Sequence, residues 1–544
     1  AEHCGERALS PCGRVSTAAQ ASRSSFHLRT RGRSDARMSR ERMLSDTPRH
    51  YSAPQWEDST ADAYVFRLRF AGNPSVEVLR EEVDEIFVPG TRQWLFTDLE
   101  AWRRRSEAGY SFRVELGFAT CPFYVLTAPS GFGKSLALSQ YIVQRPHKVL
   151  AWHFCRRDDE RSRNARRAIR SMAFQFAQKL LPFRESLAQI FLAAGYERRE
   201  DLVSGDALST RELFDTLVLG PLKSCTAPSV ANGEGKYVIV LDGFETGSDK
   251  DGNALGGAVL RHLRRLPHWI GMILSTRPDT PVIQALQDQK LSITQLDFMT
   301  FEDEQDQDVQ MYVEHAFARR LDIKHPAHHQ LRQLLRENVS VSGDADFGMD
   351  NSRYRNFLYL HLLISAILEK ITEVGWSDAR SREWLKGVFR KMARFSVLQL
   401  YDVLFKVLYQ RYFSEKKQSI KRLFYAIVAA PVPLHAMLEL APLCELNPAT
   451  CLSHVHVMEN IFLKLADDLV GVRHESVREW VYWESGYLYS NLHINQEMCH
   501  YYMAKACAKV LMQYNYVHFT EGEWLPSDAA ALRTLTRAFN MKES

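Results

Sequence analysis

The feature that most constrains the fold is the segment 128–135, which reads Ala-Pro-Ser-Gly-Phe-Gly-Lys-Ser and is called the glycine loop below. Its spacing is that of a phosphate-binding loop, with alanine in the place of the first glycine. An apolar run over residues 123–126 precedes it, and apolar residues at helical spacing follow it. In this order of strand, loop and helix, backbone N–H groups and a helix N-terminus can face a phosphate. The segment therefore predicts a nucleotide-binding loop; the alternative is a glycine-rich turn that binds nothing.

The residues of the glycine loop are expected to have separate roles. Lys134 would reach the β- and γ-phosphates, and the Ser135 hydroxyl would be a ligand of Mg²⁺. The nucleotide is expected to contact the whole loop, which consists of Ala128, Pro129, Ser130, Gly131, Phe132, Gly133, Lys134 and Ser135.

A phosphate-binding loop also needs a carboxylate at the end of another buried strand, where it can hold Mg²⁺ through water. The apolar run 237–241 ends in Asp242, which makes this residue the second expected metal-site residue beside Ser135. The alternative is an aspartate that only caps the turn before Gly243.

Two further charged residues near strand ends are candidate catalytic residues. Glu245 lies three residues after Asp242, where a carboxylate could orient a water molecule. Arg277 ends the run 273–277, and an arginine at that end of a sheet could neutralise a γ-phosphate. By itself, Arg277 would be interpreted only as a surface arginine.

Strand and helix patterns alternate up to about residue 300. Buried-strand patterns lie over residues 148–152, 237–241 and 272–274, and residues 64–70 partly alternate, as a strand does. This alternation predicts the α/β class, with a parallel sheet flanked by helices. After residue 300, helical patterns dominate, and one predicted hairpin over residues 461–472 interrupts them.

Composition limits the classes of function. The 544 residues are 45% hydrophobic and 25% charged, which is typical of a folded protein with three or four domains. The net charge is only +4, and residues 1–60 hold ten arginines against seven acidic residues. Since the rest of the chain is nearly neutral, no nucleic-acid binding is expected. The longest apolar run, residues 423–434, is shorter than the about 20 residues of a membrane span, so none is expected.

The cysteine pattern and the composition of residues 1–60 indicate where in the cell the protein is expected. Nine cysteines without a C-x-x-C pair are typical of a reducing compartment, and a cytoplasmic protein is expected. The arginine- and serine-rich residues 1–60 are interpreted as a disordered leader, with a mitochondrial transit peptide as the alternative.

Several short motifs accompany the glycine loop. They are Gly-Thr-Arg-Gln-Trp-Leu-Phe at residues 90–96, His-Phe-Cys at 153–155, Leu-Asp-Gly-Phe-Glu-Thr at 241–246, Ser-Thr-Arg-Pro at 275–278 and Asp-Val-Gln-Met-Tyr-Val at 308–313. Together they resemble a NACHT-type P-loop NTPase of the STAND signalling class, with closer similarity to nephrocystin-like and ankyrin-repeat NACHT proteins. The resemblance implies that ATP or ADP and Mg²⁺ are bound and that Arg92 helps to frame the nucleotide.

The resemblance extends to about residue 510. Phe-Leu-Tyr-Leu at residues 357–360 is similar to a helix of the family, and Leu-Tyr-Asp-Val-Leu at 400–404 is similar to the start of its winged-helix domain. The segment 474–480 is similar to the helix after the wing. In STAND proteins a winged-helix histidine reaches the β-phosphate of ADP and locks the closed state, so the resemblance gives this role to His474. The alternative is a histidine that packs in a core or caps a helix.

These observations divide the chain into six expected segments. They are a disordered basic leader (1–60), a short ordered lead-in (61–85), a NACHT-type P-loop NTPase core (86–300), an all-α helical subdomain (301–395), a winged-helix domain (396–484) and a helical tail (485–544) that would begin a repeat region.

The motif at residues 242–246 departs from the family pattern D-G-x-D-E, because Thr246 stands in the place of the presumed catalytic glutamate. Hydrolysis is therefore expected to be slow or absent. The leading hypothesis is an ATP/ADP-binding signalling switch whose nucleotide state controls opening and self-association, with other proteins as partners. The alternatives are a continuously hydrolysing ATPase that uses Glu245 and a protein-interaction scaffold with a degenerate nucleotide site.

Overall fold

The fold is given by a computed structural model. It describes residues 60–69, 73–104, 122–156, 161–205, 207–225, 236–243, 262, 265–267, 269–278, 280, 283–284, 293–320, 333, 351–374, 382–413, 417–430, 433–459, 461–466, 468–482 and 496–518. All of them lie in the larger of two units into which the chain divides, Trp56–Ser544. Nearly the whole predicted leader and the predicted catalytic residue Glu245 lie outside the described residues.

A five-stranded parallel sheet organises the first half of the described chain. Its strands are β1 (Phe123–Thr127), β2 (Val149–Phe154), β3 (Tyr237–Asp242), β4 (Ile270–Thr276) and β5 (Ile293–Asp297). They lie in the spatial order β2-β3-β4-β1-β5, and each neighbouring pair is parallel. The carboxyl ends of β1, β3 and β4 therefore lie at one edge, from which the glycine loop, Asp242 and Arg277 follow.

Helices of this half pack on both faces of the sheet. They are α1 (Thr60–Arg67), α2 (Val76–Ile86), α3 (Gln93–Arg104), α4 (Lys134–Gln144), α5 (Ala165–Lys179), α6 (Leu181–Ala193), α7 (Tyr196–Ser204), α8 (Thr210–Phe214), a π-helical turn (Asp215–Leu219) and α9 (Gly220–Leu222). Along β1, Phe123 and Val125 contact one apolar core, whereas Tyr124 and Leu126 contact another. A strand buried on both faces needs an uninterrupted apolar sequence, which is why β1 to β4 were predictable. The predicted α/β class, with a parallel sheet flanked by helices, is confirmed, and this arrangement is consistent with a P-loop-like fold.

The second half is mainly helical and contains a small antiparallel sheet. Its helices are α10 (Glu302–Arg320), α11 (Phe357–Val374), α12 (Arg382–Ala393), α13 (Val397–Leu408), α14 (Lys417–Ala429), α15 (Ala441–Leu443), α16 (Pro448–Met458), α17 (Glu475–Val481) and α18 (Gln496–His518). Strands β6 (Leu434–His435), β7 (Leu463–Ala466) and β8 (Leu469–Val472) pair in the order β6-β8-β7, and β7 and β8 form the predicted hairpin. One apolar core extends from Val309 to Ala506, across several of the predicted segment boundaries.

Short helical turns join some of these elements. They are two 3-10 turns (Phe298–Thr300 and Asn351–Arg355) and two π-helical turns (Tyr409–Phe413 and Ala436–Leu440).

The prediction of a strand over residues 64–70 is wrong, because this region begins with helix α1. Val65 and Leu68 are buried three residues apart, and the intervening Phe66 is 48% exposed. This is the spacing of one helical face, which in so short a segment also resembles alternation. Strand β5 was not predicted, since its sequence Ile-Thr-Gln-Leu-Asp is half polar.

In the part of the chain that the structure describes, every helix is too short or too polar to cross a lipid bilayer.

Candidate functional site

The glycine loop joins β1 to α4 at the carboxyl edge of the sheet. Gly131 and Gly133 have φ angles of +86° and +79°, which favour glycine because they lie in the left-handed region. A Cβ atom on Gly131 would also collide with the side chain of Asn356, which would have to move to accommodate any other residue. Gly133 is the N-cap residue of α4, and the loop therefore leads directly into a helix N-terminus.

Several carbonyl groups of the glycine loop have donors from side chains or from distant backbone. The Lys134 ammonium donates to the carbonyl oxygens of Ala128, at 2.5 Å, and Pro129, at 3.1 Å. Farther along the loop, Asn356 Nδ2 donates to the Ser130 carbonyl at 2.8 Å.

The next two carbonyls are bonded by residues from two other segments. The backbone N–H of Leu358 donates to the Gly131 carbonyl at 3.3 Å, and Arg92 Nη2 donates to the Phe132 carbonyl at 2.6 Å. When hydrogen bonds hold the carbonyl groups on one side of a curled loop, the backbone N–H groups can point to the opposite side, where they can bind an anion. This arrangement suits an anion at the N-terminus of α4, next to the Lys134 ammonium.

Arg92 lies behind the glycine loop. Its backbone N–H donates to Asp308 Oδ1 at 2.9 Å, and its guanidinium forms an ion pair with Asp308 Oδ2 at 3.4 Å. Both side chains are at most 3% exposed, and the guanidinium lies over the rings of Phe298 and Phe357. Burial lowers the pKa of Arg92 to about 10, and Asp308 opposes this shift. Burial likewise raises the pKa of Asp308, against the effect of Arg92.

Asp242 is buried at the end of β3 and is held by β4. The Ser275 hydroxyl donates to Asp242 Oδ1 and accepts from the backbone N–H of Gly243 at 3.1 Å. One hydroxyl therefore fixes both the carboxylate and the turn after it. The second carboxylate oxygen is the one that could hold a metal-bound water molecule.

His474 lies between the hairpin and the glycine loop. It is the N-cap residue of α17, and its Nδ1 accepts from the Ser476 backbone N–H at 3.2 Å. Because a neutral imidazole that accepts at Nδ1 carries its proton on Nε2, we assign that tautomer. The Nε2 atom is 3.5 Å from Ser130 Oγ in the glycine loop.

Arg277 forms a second contact between the sheet and the segment after the hairpin. Its guanidinium donates to Glu475 Oε2 at 3.2 Å, and the two side chains are about one-third and one-quarter exposed. Two neighbouring residues, His474 and Glu475, thus contact two parts of the predicted nucleotide site, the glycine loop and Arg277.

A cavity of about 660 Å³ connects these groups. Its wall includes eight of the residues that the sequence predicted, namely Ser130, Gly131, Gly133, Lys134, Ser135, Asp242, Arg277 and His474. The sequence-predicted Arg92 supports the glycine loop from behind and is not among the lining residues. Apolar residues of α2, Val78 and Leu79, and of β7, Leu465, complete parts of the wall.

The structure adds positioning contacts that sequence reasoning missed. Ser275 contacts Asp242, which lies 33 residues earlier in the sequence, and Asn356 contacts Ser130, which lies 226 residues earlier. Both contacts form only in the folded chain. The available signals were weak: a serine at the end of a buried strand, and an asparagine directly before a helical pattern, where it predicts only a cap.

The titration of His474 leads to a test in solution. Burial lowers its pKa to about 4, assisted by Arg277 and Lys134 and opposed by Glu475. In the unfolded chain a histidine titrates near 6.5, so between these values the unfolded state binds more protons. The stabilisation is complete above pH 6.5 and is lost as the pH falls toward 4.

We expect His474→Asn to remove this part of the pH dependence while keeping an N-cap residue. Between pH 7 and pH 4.5, the wild-type protein should lose about 1–3 kcal/mol more stability than the variant. The measurement is the Tm of both proteins over this range without nucleotide. Equal losses of Tm would show that His474 does not titrate in this way.

Comparison with known families covers part of the site. Residues 90–277 match the family model described as "Nephrocystin 3, N-terminal", which is 188 of the 544 residues. The matched segment contains Arg92, the glycine loop, Asp242 and Arg277, whereas His474 lies beyond it. No curated protein matches the chain. The match links the chain to nephrocystin-like proteins over this segment.

Proposed function

We propose that the chain is an ATP/ADP-binding signalling switch with slow or no hydrolysis. The observation that supports this most directly is the position of His474, whose Nε2 is 3.5 Å from Ser130 Oγ and lines the same cavity as Lys134. Residues 86–300 are then a P-loop NTPase core of NACHT type, and residues 396–484, with the β7–β8 hairpin, are a winged-helix domain after an all-α subdomain.

In this proposal the glycine loop holds the phosphates. Lys134 neutralises them, and Ser135 and Asp242 hold Mg²⁺, the latter through water. Bound Mg²⁺ would supply charge neutralisation of the phosphates. The fit is supported by the hydrogen bonds that hold the carbonyl groups of the loop and by the position of Ser135 and Asp242 in the wall of one cavity.

His474 and Glu475 would distinguish the two nucleotides. A neutral His474 with its proton on Nε2 can donate to a β-phosphate oxygen that lies over Ser130. A γ-phosphate that approached Arg277 would meet the Glu475 carboxylate, which is already 3.2 Å from that guanidinium. ADP is thus compatible with the closed arrangement, and ATP would favour its opening. The opened form is the one proposed to self-associate or to bind other proteins.

The first experiment is to denature the purified protein and identify the released nucleotide. We expect ADP in an amount close to that of the protein, and a higher Tm when ADP and Mg²⁺ are added to nucleotide-free protein. Absence of both would overturn the proposal and leave the scaffold hypothesis. Sustained ATP turnover that Glu245→Gln abolishes would instead favour the hydrolysing ATPase.

A further inference from the structure

The start of α11 contacts the glycine loop directly. Asn356 Nδ2 donates to the Ser130 carbonyl at 2.8 Å, and the Leu358 N–H donates to the Gly131 carbonyl at 3.3 Å. Two successive carbonyls of the loop are therefore bonded to one helix N-terminus, more than 200 residues away in sequence. Leu358 also lines the cavity.

The Asn356 side chain uses both of its polar atoms. Its Oδ1 accepts from the Tyr359 backbone N–H at 3.1 Å, as an N-cap does, while Nδ2 points to the Ser130 carbonyl. Rotating the amide by 180° would place N–H against N–H and oxygen against oxygen, so the orientation is fixed by its partners. Aspartate would cap α11 equally well but has no donor for the loop.

We infer that Asn356 is a positioning residue that holds the glycine loop in the conformation needed for phosphate binding. If the Ser130 carbonyl lost its donor, the peptide unit between Ser130 and Gly131 could rotate, and the carbonyl could then face a phosphate. The consequence for ligand affinity rests on the proposed function, whereas the contact between loop and helix does not.

This contact connects the loop to the second half of the chain. The Tyr359 hydroxyl, one turn into α11, donates to the Ala393 carbonyl at 2.7 Å, and α11 packs against α13 in the large apolar core. On α13, the Tyr401 hydroxyl is 3.1 Å from Ser476 Oγ, beside His474. The helix that holds the loop thus belongs to the same packed core as the segment with the histidine.

The test uses Asn356→Ser, which keeps a neutral N-cap residue but is too short to reach the Ser130 carbonyl. The matched control is Asn447→Ser, since Asn447 caps α16 through Thr450 N–H at 2.7 Å and is exposed. Two quantities are measured for each: hydrogen exchange of the Leu358 amide in nucleotide-free protein, and the affinity for ADP.

We expect Asn356→Ser to speed exchange of the Leu358 amide about tenfold and to weaken ADP binding about tenfold. The control should change neither. Wild-type exchange at Leu358 in the variant would overturn the inference, whatever the affinity. If wild-type protein binds no ADP, the proposed function fails, and the exchange rates alone decide the role of Asn356. Should Asn356→Ser fold poorly, Asn356→Asp supplies the same comparison with the cap retained.

Discussion

Replacement of Lys134 by methionine is expected to weaken ADP binding by about 100-fold, because charge-assisted hydrogen bonds are worth about 1.5–3 kcal/mol. Methionine keeps most of the length of the side chain but has no charge. The ammonium is already positioned over the loop by the carbonyls of Ala128 and Pro129, so little reorganisation is needed when a phosphate is bound. The measurement is isothermal titration of nucleotide-free protein with ADP and Mg²⁺.

Lys509→Met is the control for this variant. Lys509 lies on α18, is half exposed and pairs with Glu445, so its replacement changes the net charge equally without touching the cavity. Its ADP affinity should equal that of the wild-type protein. Equal affinities in all three proteins would contradict the phosphate-binding role of the glycine loop, whereas equal losses in both variants would indicate an effect of net charge.

The sheet could be predicted because burial on both faces leaves a clear sequence pattern. Strand β3 reads Tyr-Val-Ile-Val-Leu-Asp, and nearly all of it is buried. Among the strands that the structure describes, β5 pairs only with β1, at one edge of the sheet, and its exposed Gln295 is compatible with that position. A half-polar edge strand gives no such pattern, so β5 is recognised only from its hydrogen-bonded pairing with β1 in the structure.

The site could be predicted where its residues are contiguous. The glycine loop is one segment between a strand and a helix, so its phosphate-binding residues can be recognised from a short stretch of sequence. The role of Arg92 was predicted as framing the nucleotide, but in the fold its guanidinium bonds the Phe132 carbonyl from behind the loop. Whether it also affects a nucleotide stays a prediction. Asn356 could not be found in this way, because its loop contact depends on the packing of α11.

The ion pair between Arg92 and Asp308 is the most deeply buried one in the part of the chain that the structure describes. Removing the carboxylate would leave a guanidinium that is 3% exposed without its counter-ion. Burying an unpaired charge costs much more than losing an exposed ion pair. The aromatic rings of Phe298 and Phe357 stabilise the cation in part, but they cannot replace an anion.

We therefore expect Asp308→Asn to destabilise the protein by about 3–5 kcal/mol, which corresponds to a Tm lower by about 10 °C. The substitution keeps the shape of the side chain and removes only its charge. Asp308 also accepts from Trp94 Nε1 at 2.9 Å, and the amide would set an N–H group against one of its present donors. The measurement is thermal unfolding without nucleotide, so it does not depend on the proposed function.

Asp306→Asn on the same helix is the matched control for this effect. Asp306 pairs with Arg355 at 2.8 Å, but it is 27% exposed, and Arg355 keeps a second partner in Glu302 at 3.0 Å. Because this pair is more exposed than Arg92–Asp308 and Arg355 keeps a partner, the variant should lose about 1 kcal/mol and unfold within a few degrees of wild type. If Asp308→Asn were as mild as Asp306→Asn, the buried pair would not be what fixes Arg92 behind the glycine loop. The conformation of the glycine loop would then depend on the hydrogen bonds from Asn356 and Leu358 to its carbonyl groups.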